Sequence, residues 1–262
     1  MLTEEIYFNL TLFVFGIAIG SFLNVCIYRI PKKMSIWQGR SRCPSCGKTI
    51  HWYHLVPVLS FVFLGGKCCF CKKCISWPYP LIELFSGIWT VFLFHMFGWT
   101  HSYLVNLTFS WIIIVISAID LQTQRIPNSL ILAGIIPGLL LYLTENPGLI
   151  LQKLIDGLIC GFALWIISFL NKVITGKNGF GGGDIKLIFL IGFYLGLEGT
   201  LWSFGIACIV GAIAGIFGLS FGLLERKTRI AFAPYLGFGV LSFMILNQMK
   251  ITDKLIFLIL FS

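Results

Sequence analysis

The sequence predicts an all-α, polytopic integral membrane protein with about eight transmembrane helices and a cysteine-rich cytosolic loop. Three observations predict it. Hydrophobic residues make up 58% of the 262 residues and charged residues only 11%, with a mean hydropathy of +0.93, far from a soluble composition. Apolar runs of spanning length recur along the chain, and in lipid a helix is the simplest way to satisfy every backbone N–H and C=O. The cations are also clustered, with nine Lys/Arg and no Asp or Glu between Arg29 and Pro80. Such a run between membrane segments is what the positive-inside rule places in the cytosol. The net charge of +9 therefore points to a lipid bilayer as the partner and not to nucleic acid.

Ile6 to Tyr28 is 23 residues without a charge, enough to cross a hydrocarbon core of ~30 Å at ~1.5 Å per residue. Glu4 and Glu5 precede it and Arg29, Lys32 and Lys33 follow, so the N-terminus is expected outside. A cleaved signal would begin with basic residues, so this reads as a retained first helix. Gly16, Gly20 and Ser21 offer small side chains for close helix packing, and Asn24 needs a hydrogen-bond partner.

In the basic loop, Cys43-Pro-Ser-Cys46 is followed after 21 residues by Cys68-Cys69-Phe70-Cys71-Lys72-Lys73-Cys74, so six of the nine cysteines lie here. A reducing cytosol disfavours disulfides, and two C-x2-C knuckles supply the four thiolates of a structural Zn2+ site. Cys68/Cys71 and Cys71/Cys74 both satisfy the spacing, Cys69 is a spare, and His51 and His54 are further candidates. Between the knuckles, Trp52 to Leu64 is apolar but has 13 residues and Pro57, too short to span, and reads as an interfacial or re-entrant segment.

Leu84 to Ile119 is 36 residues without a formal charge, the length of two spans joined by an outside hairpin at Gly98–Ser102. The second ends in Asp120, before a short inside connection through Arg125 and Ile126-Pro127-Asn128. Further spans are expected at Ser129–Leu143, Lys153–Leu170, Ile185–Leu197, Thr200–Leu224 and Ala231–Leu246, with a turn at Glu198. Lys172 and Lys177, then Glu225–Arg229, mark inside loops. This threading puts Asp120 and Asp184 on the same, cytosolic, membrane face.

Asp184 follows Gly179-Phe180-Gly181-Gly182-Gly183 where a polar loop turns into an apolar run. A carboxylate there is either the cap of the next helix or a working group, because ionisable side chains at a membrane edge are costly and face protein or water. Two such carboxylates on one face form a candidate acid/base pair. A transporter using them as an ion relay would call for charges deep inside spans and for repeated halves, and the sequence has neither. A zinc-dependent scaffold without catalysis needs only the cysteine loop.

The chain resembles the type IV prepilin leader peptidases, membrane aspartic proteases of the G-x-G-D kind. The matching stretches are Gly20-Ser21-Phe22-Leu23-Asn24-Val25 with Arg29 and Pro31; Ser41-Arg42-Cys43-Pro44-x-Cys46; Trp52-Tyr53; Pro57-Val58-Leu59-Ser60; Gly66-Lys67-Cys68 with Cys71; Tyr79-Pro80-Leu81-Ile82-Glu83; Asp120 with Ile126-Pro127; and Gly181-Gly182-Gly183-Asp184-x-Lys186. The chain departs from the family pattern at His54, Pro78 and Ala233-Pro234. The resemblance implies that Asp120 and Asp184 are catalytic, with Gly181, Gly183 and Lys186 supporting them. It also implies that Cys43, Cys46, Cys68 and Cys71 are the paired cysteines. The implied activity is cleavage of the basic leader of prepilins or pseudopilins at a Gly–Phe bond on the cytosolic face of the bacterial inner membrane. Methylation of the new N-terminus from S-adenosylmethionine accompanies it in many members. The expected organisation is a first transmembrane helix (1–28), the basic cysteine loop (29–80), a transmembrane protease domain (81–250) and a short apolar tail (251–262).

Overall fold

The computed structural model describes residues 2–145, 147–176, 179–223, 225 and 230–249. Its elements are helical: α1 (Leu2–Arg29), a 3-10 turn (Trp52–Leu55), α2 (Leu59–Phe63), α3 (Pro78–Phe97), α4 (His101–Thr123), α5 (Asn128–Glu145), α6 (Gly148–Thr175), α7 (Gly182–Ser220) and α8 (Ala233–Gln248). The hairpin expected at Gly98 is present, with Gly98 at φ 62 closing α3 onto its Phe94 carbonyl. The tail at 251–262, Lys177 and the cations Arg226, Lys227 and Arg229 lie outside the described residues.

Five helices, α1, α3, α4, α6 and α7, are long and apolar enough to cross a bilayer; α5 is apolar but shorter. The expected separation of Ile185–Leu197 from Thr200–Leu224 takes a different form. Both belong to α7, whose 39 residues are broken at Gly196, where φ 73 and ψ −172 leave the helical region. Glycine tolerates that conformation without steric cost. The break falls two positions before Glu198, where charge alone locates the turn. Reaching the expected eight spans requires α7 to cross twice and α5 and α8 once each.

The chain divides into two compact units, Met1–Leu107 and Thr108–Ser262, with the division inside α4. In the first unit α1 packs along α3 through small residues. A Cβ on Gly16 would stand 2.8 Å from the Cα of Gly87, and one on Gly20 would stand 2.7 Å from the Cα of Glu83. In lipid no hydrophobic force drives helices together, so close backbone approach supplies the van der Waals contact that does. Polar bonds fix the register: Asn24 donates to the Tyr79 carbonyl at 2.9 Å, and Glu83 accepts the Val58 N–H at 2.8 Å. At the end of α1 the buried Arg29 guanidinium donates to the carbonyls of Ser35, Gln38 and Gly39 at 2.7–2.9 Å, tying down the start of the cysteine loop.

The second unit is built around the first half of α7, whose Leu187, Leu190, Ile191 and Phe193 are almost wholly buried. Gly157 and Gly161 of α6 close on Phe189, while Gly134 and Gly138 of α5 close on Leu190 and Phe193. The Tyr194 hydroxyl donates to the Gly134 carbonyl at 2.6 Å, and the Tyr194 ring stacks on Phe109 of α4 at 4.0 Å. α8 runs antiparallel to α4, with Ala233 beside Asp120 at one end and Met244 beside Ser110 at the other.

These contacts give a paired expectation. Gly20→Ala should destabilise the first unit by about 1–3 kcal/mol, the usual cost of forcing a methyl into a packed site. Gly205→Ala, with no atom within 4 Å of the added methyl, should be tolerated. Thermal unfolding in one detergent reads both.

Candidate active site and metal centre

Asp120 sits in the last turn of α4 and is 5% exposed. Its Oδ2 accepts the N–H of Ala233 at 3.1 Å. Ala233 opens α8, and the first amides of a helix lack intrahelical acceptors and carry the positive end of its dipole. A helix N-terminus is therefore spent on a buried carboxylate. Asp184 lies in the first turn of α7, half-buried, and its Oδ2 accepts the N–H of Gly181 at 3.1 Å, a capping interaction. That bond engages one of the two carboxylate oxygens.

Packing between three connections sets the helix ends that carry the two acids side by side. After Asp120 the chain runs through Ile126, whose side chain lies where a Cβ on Gly183 would come within 3.1 Å. Lys186 donates to the Asn128 side-chain oxygen at 2.8 Å, pinning the start of α7 to the start of α5. Phe180 stacks against Phe204 and Phe232 at centroid distances of 5.9 and 5.6 Å. The Ser168 hydroxyl accepts the Phe180 N–H and donates to the Phe180 carbonyl, at 3.2 and 3.1 Å. Phe232 precedes Ala233, so the aromatic cluster links the Asp184 turn to the amide that holds Asp120. Asn128, Phe180 and Ser168 receive no role from the sequence, and Ala233, expected there only as a departure from the family pattern that does not touch the aspartates, in fact holds Asp120. A backbone donor leaves no residue-type signal, whereas the three phenylalanines flanking glycine and proline turns are visible in retrospect.

In the first unit the Sγ atoms of Cys43, Cys46, Cys68 and Cys71 all lie within 4.8 Å of one another, and Cys43 and Cys71 are 3.9 Å apart. Thiolates at ~2.3 Å from a tetrahedral Zn2+ stand ~3.8 Å apart, so the cluster is of the size that ion needs. The two knuckles repeat at an offset of 25 positions. Cys43 and Cys68 each donate their N–H to the residue five positions on, and Gly47 and Lys72 each donate back to the first cysteine at 2.9 and 3.0 Å. Backbone bridges pair Arg42 with Thr49 and Lys67 with Cys74. Cys74 therefore corresponds to Thr49, a bridge position, and Cys69 to Pro44, which resolves the register the spacing leaves open. His51 stacks on Tyr53 at 5.3 Å and His54 meets Tyr53 edge-on at 4.4 Å, in an aromatic group outside the thiol cluster. Backbone N–H groups of Cys71 and Phe70 hold the Cys68 thiol down at about 6. A backbone N–H from Lys73 pulls Cys71 the same way, but burial and the neighbouring thiols outweigh it and push Cys71 up to about 11. A divalent ion bound here would displace protons from the thiols that hold it.

Residues 14–97 match the bacterial peptidase A24 N-terminal domain and residues 107–216 match the type IV leader peptidase family. The chain is 33% identical over 260 residues to the prepilin leader peptidase/N-methyltransferase of Stutzerimonas stutzeri, covering 89% of each chain. The chain belongs to the type IV leader peptidase family. Other relatives of the same name are those of Pseudomonas aeruginosa, 32% identical over 89% of each chain, and Neisseria gonorrhoeae, 32% identical over 78% of this chain and 79% of the relative. No solved structure matches the chain. The two family matches contain, respectively, the thiol cluster and both aspartates.

Two expectations concern this family's cysteine module. Lys72 adopts a left-handed φ of 57 at the place where Gly47 has φ 70. Left-handed backbone costs a residue with a Cβ about 1–2 kcal/mol, partly offset by the flexibility glycine adds to the unfolded chain. Lys72→Gly should therefore stabilise the module slightly, by about 0.5 kcal/mol, whereas Gly47→Val should weaken it; metal retention against a competing chelator compares them. Strong chelation should also open residues 40–75 to limited proteolysis while α1 and α3 stay protected, because structural zinc supplies folding energy to small loops.

Proposed function

We propose that this protein is a multi-pass membrane aspartic endopeptidase that removes the leader from type IV prepilins or pilin-like pseudopilins. The observation that carries the reading is that Asp120 and Asp184, from separate helices, each accept a backbone amide at helix ends joined by the Phe180–Phe232 contact. Two carboxylates held close share a proton more readily than they both ionise. The ionised one takes a proton from water as the water attacks the scissile carbonyl. The protonated one donates a hydrogen bond to that carbonyl and later a proton to the leaving amine. Gly181 and Gly183 keep the turn narrow beside the acids, and Lys186 fixes the α7–α5 junction through Asn128.

The basic loop supports placing this face in the cytosol of a bacterial inner membrane. A leader rich in Lys/Arg would stay on that side while its apolar helix occupies the bilayer, leaving the scissile Gly–Phe bond at the membrane edge. Zn2+ held by Cys43, Cys46, Cys68 and Cys71 is structural in this reading, since four thiolates fill a tetrahedron and leave no open position. The relatives are named N-methyltransferases as well, and we assign methylation of the new N-terminus, from S-adenosylmethionine, as a second activity. The described residues contain no strand–glycine turn–helix cradle for that donor, and no residue is assigned to it.

Asp120→Asn and Asp184→Asn should each lower prepilin cleavage by about 10³-fold or more, the scale of general acid–base catalysis, with zinc content and helicity unchanged. The double variant should be scarcely worse than either single one, because the pair acts as a unit. Mass spectrometry of a prepilin before and after exposure reads cleavage and methylation together. Near-normal cleavage by a folded Asp184→Asn protein would reduce Asp184 to a helix cap and sink the proposal.

A further inference from the structure

Residues 52–63 expose apolar side chains that the protein itself does not cover. Trp52, Leu55, Val56, Leu59, Val62 and Phe63 are all exposed, Trp52 at 80% and Phe63 at 84%, and neither the 3-10 turn nor α2 contains a buried residue. The exposed positions fall at 52 and 53, 55 and 56, 59, and 62 and 63, with the residues between them half-buried. This segment lies outside the spanning helices, so acyl chains around a transmembrane helix do not account for its exposure.

Its depth is fixed by two contacts. The Val58 N–H, at the break before α2, donates to Glu83 at 2.8 Å, and Glu83 lies five residues into the spanning helix α3. The Phe61 ring packs on Trp77, the residue before α3, at 5.1 Å. At ~1.5 Å per helical residue the anchor point is within ~10 Å of the end of the span, the thickness of a headgroup layer. Phe61, on the inner side of α2, is therefore held against the span's end, and the outward-facing stripe is held at that same depth. The surrounding loop, Arg29 to Pro80, has nine Lys/Arg and no acid, and Lys67, Lys72 and Lys73 beside α2 are exposed.

We infer that the face carrying Trp52, Leu55, Leu59, Val62 and Phe63 is seated in the headgroup layer of an anionic bilayer leaflet, so that the cysteine module is a peripheral membrane element and not a free loop. Trp and aliphatic side chains favour that layer, short amphipathic segments lie in it, and anionic lipids attract basic residues beside it. The inference rests on the membrane embedding of α1 and α3 and is independent of the protease reading.

The test replaces Phe63 with p-benzoylphenylalanine in the full-length, zinc-replete protein. It is reconstituted as single copies in nanodiscs of equal phosphatidylcholine and phosphatidylglycerol and irradiated. Mass spectrometry of the 59–67 peptide should find lipid adducts as the major product, and their yield should fall several-fold in phosphatidylcholine alone. Lys67→Glu with Lys73→Glu should reproduce that fall in the mixed discs. Adducts confined to other peptides of the chain, or no adduct at all, would overturn the inference, as would a lipid yield indifferent to phosphatidylglycerol. Placing the same probe at Val62 guards against a defect particular to position 63.

Discussion

A carboxylate removed from water must find hydrogen-bond donors inside the protein, and that constraint shapes the whole second unit. Burying a charge without partners costs several kcal/mol at least, far more than a domain can spare. Asp120 meets the requirement with the first amide of α8, reached across 113 positions of sequence. Asp184 meets it locally, with the amide three residues before it. The distant solution dictates where α8 begins and the local one dictates how α7 begins. The phenylalanine cluster of Phe180, Phe204 and Phe232 joins the two beginnings. Capping is compatible with the proposed catalytic role of Asp184. A carboxylate oriented by its own helix turn keeps its second oxygen available, and the orientation is what an acid/base pair needs.

Helix packing serves the same end. The first half of α7 is enclosed by α5 and α6 through glycines, so the backbone carrying Asp184 is held by direct contact with neighbouring helices. Where α7 leaves this packing, at Gly196, its helical geometry breaks. The second half exposes Leu201, Ile209, Ile213, Ile216 and Phe217, side chains suited to lipid. The distal half packs one face on α8, where Gly239 closes on the Ser203 backbone, and carries apolar surface on the other.

Much of this was legible in the sequence, and the exceptions have physical reasons. The first span, the Gly98 hairpin, the interfacial length of residues 52–64 and the placement of both aspartates at helix ends follow from hydropathy and charge. The close packing of Gly16 and Gly20, and a partner for Asn24, follow from residue size and polarity. The number of spans does not follow so readily, because α7 continues past its break without the polar loop that normally marks a turn. The donor to Asp120 was invisible because any residue except proline offers an amide, and Ala233 stood out only as a departure from the family pattern. The thiol register was within reach: aligning the knuckles at an offset of 25 sets Cys74 against Thr49 and Cys69 against Pro44, leaving Cys68 and Cys71 as the equivalents of Cys43 and Cys46.

The cysteine module raises the opposite problem from the acids, for it has almost nothing buried. Among the described residues between 30 and 79, only Cys43 and Cys68 are buried. Fifty residues with no hydrophobic core cannot offset the entropy of their own ordering, at ~1–2 kcal/mol per residue, by side-chain burial. Three ties replace the core, two of them from outside the module. The Arg29 guanidinium gathers the carbonyls of residues 35–39, the Glu83 carboxylate holds the amide of Val58, and the four thiols converge at the spacing of one tetrahedral ion. The first two belong to α1 and α3, so the module's order is borrowed from the helices that cross the membrane. Its apolar side chains, having no interior to enter, are left on the outside, where the nearest apolar medium is the bilayer at the foot of those same helices.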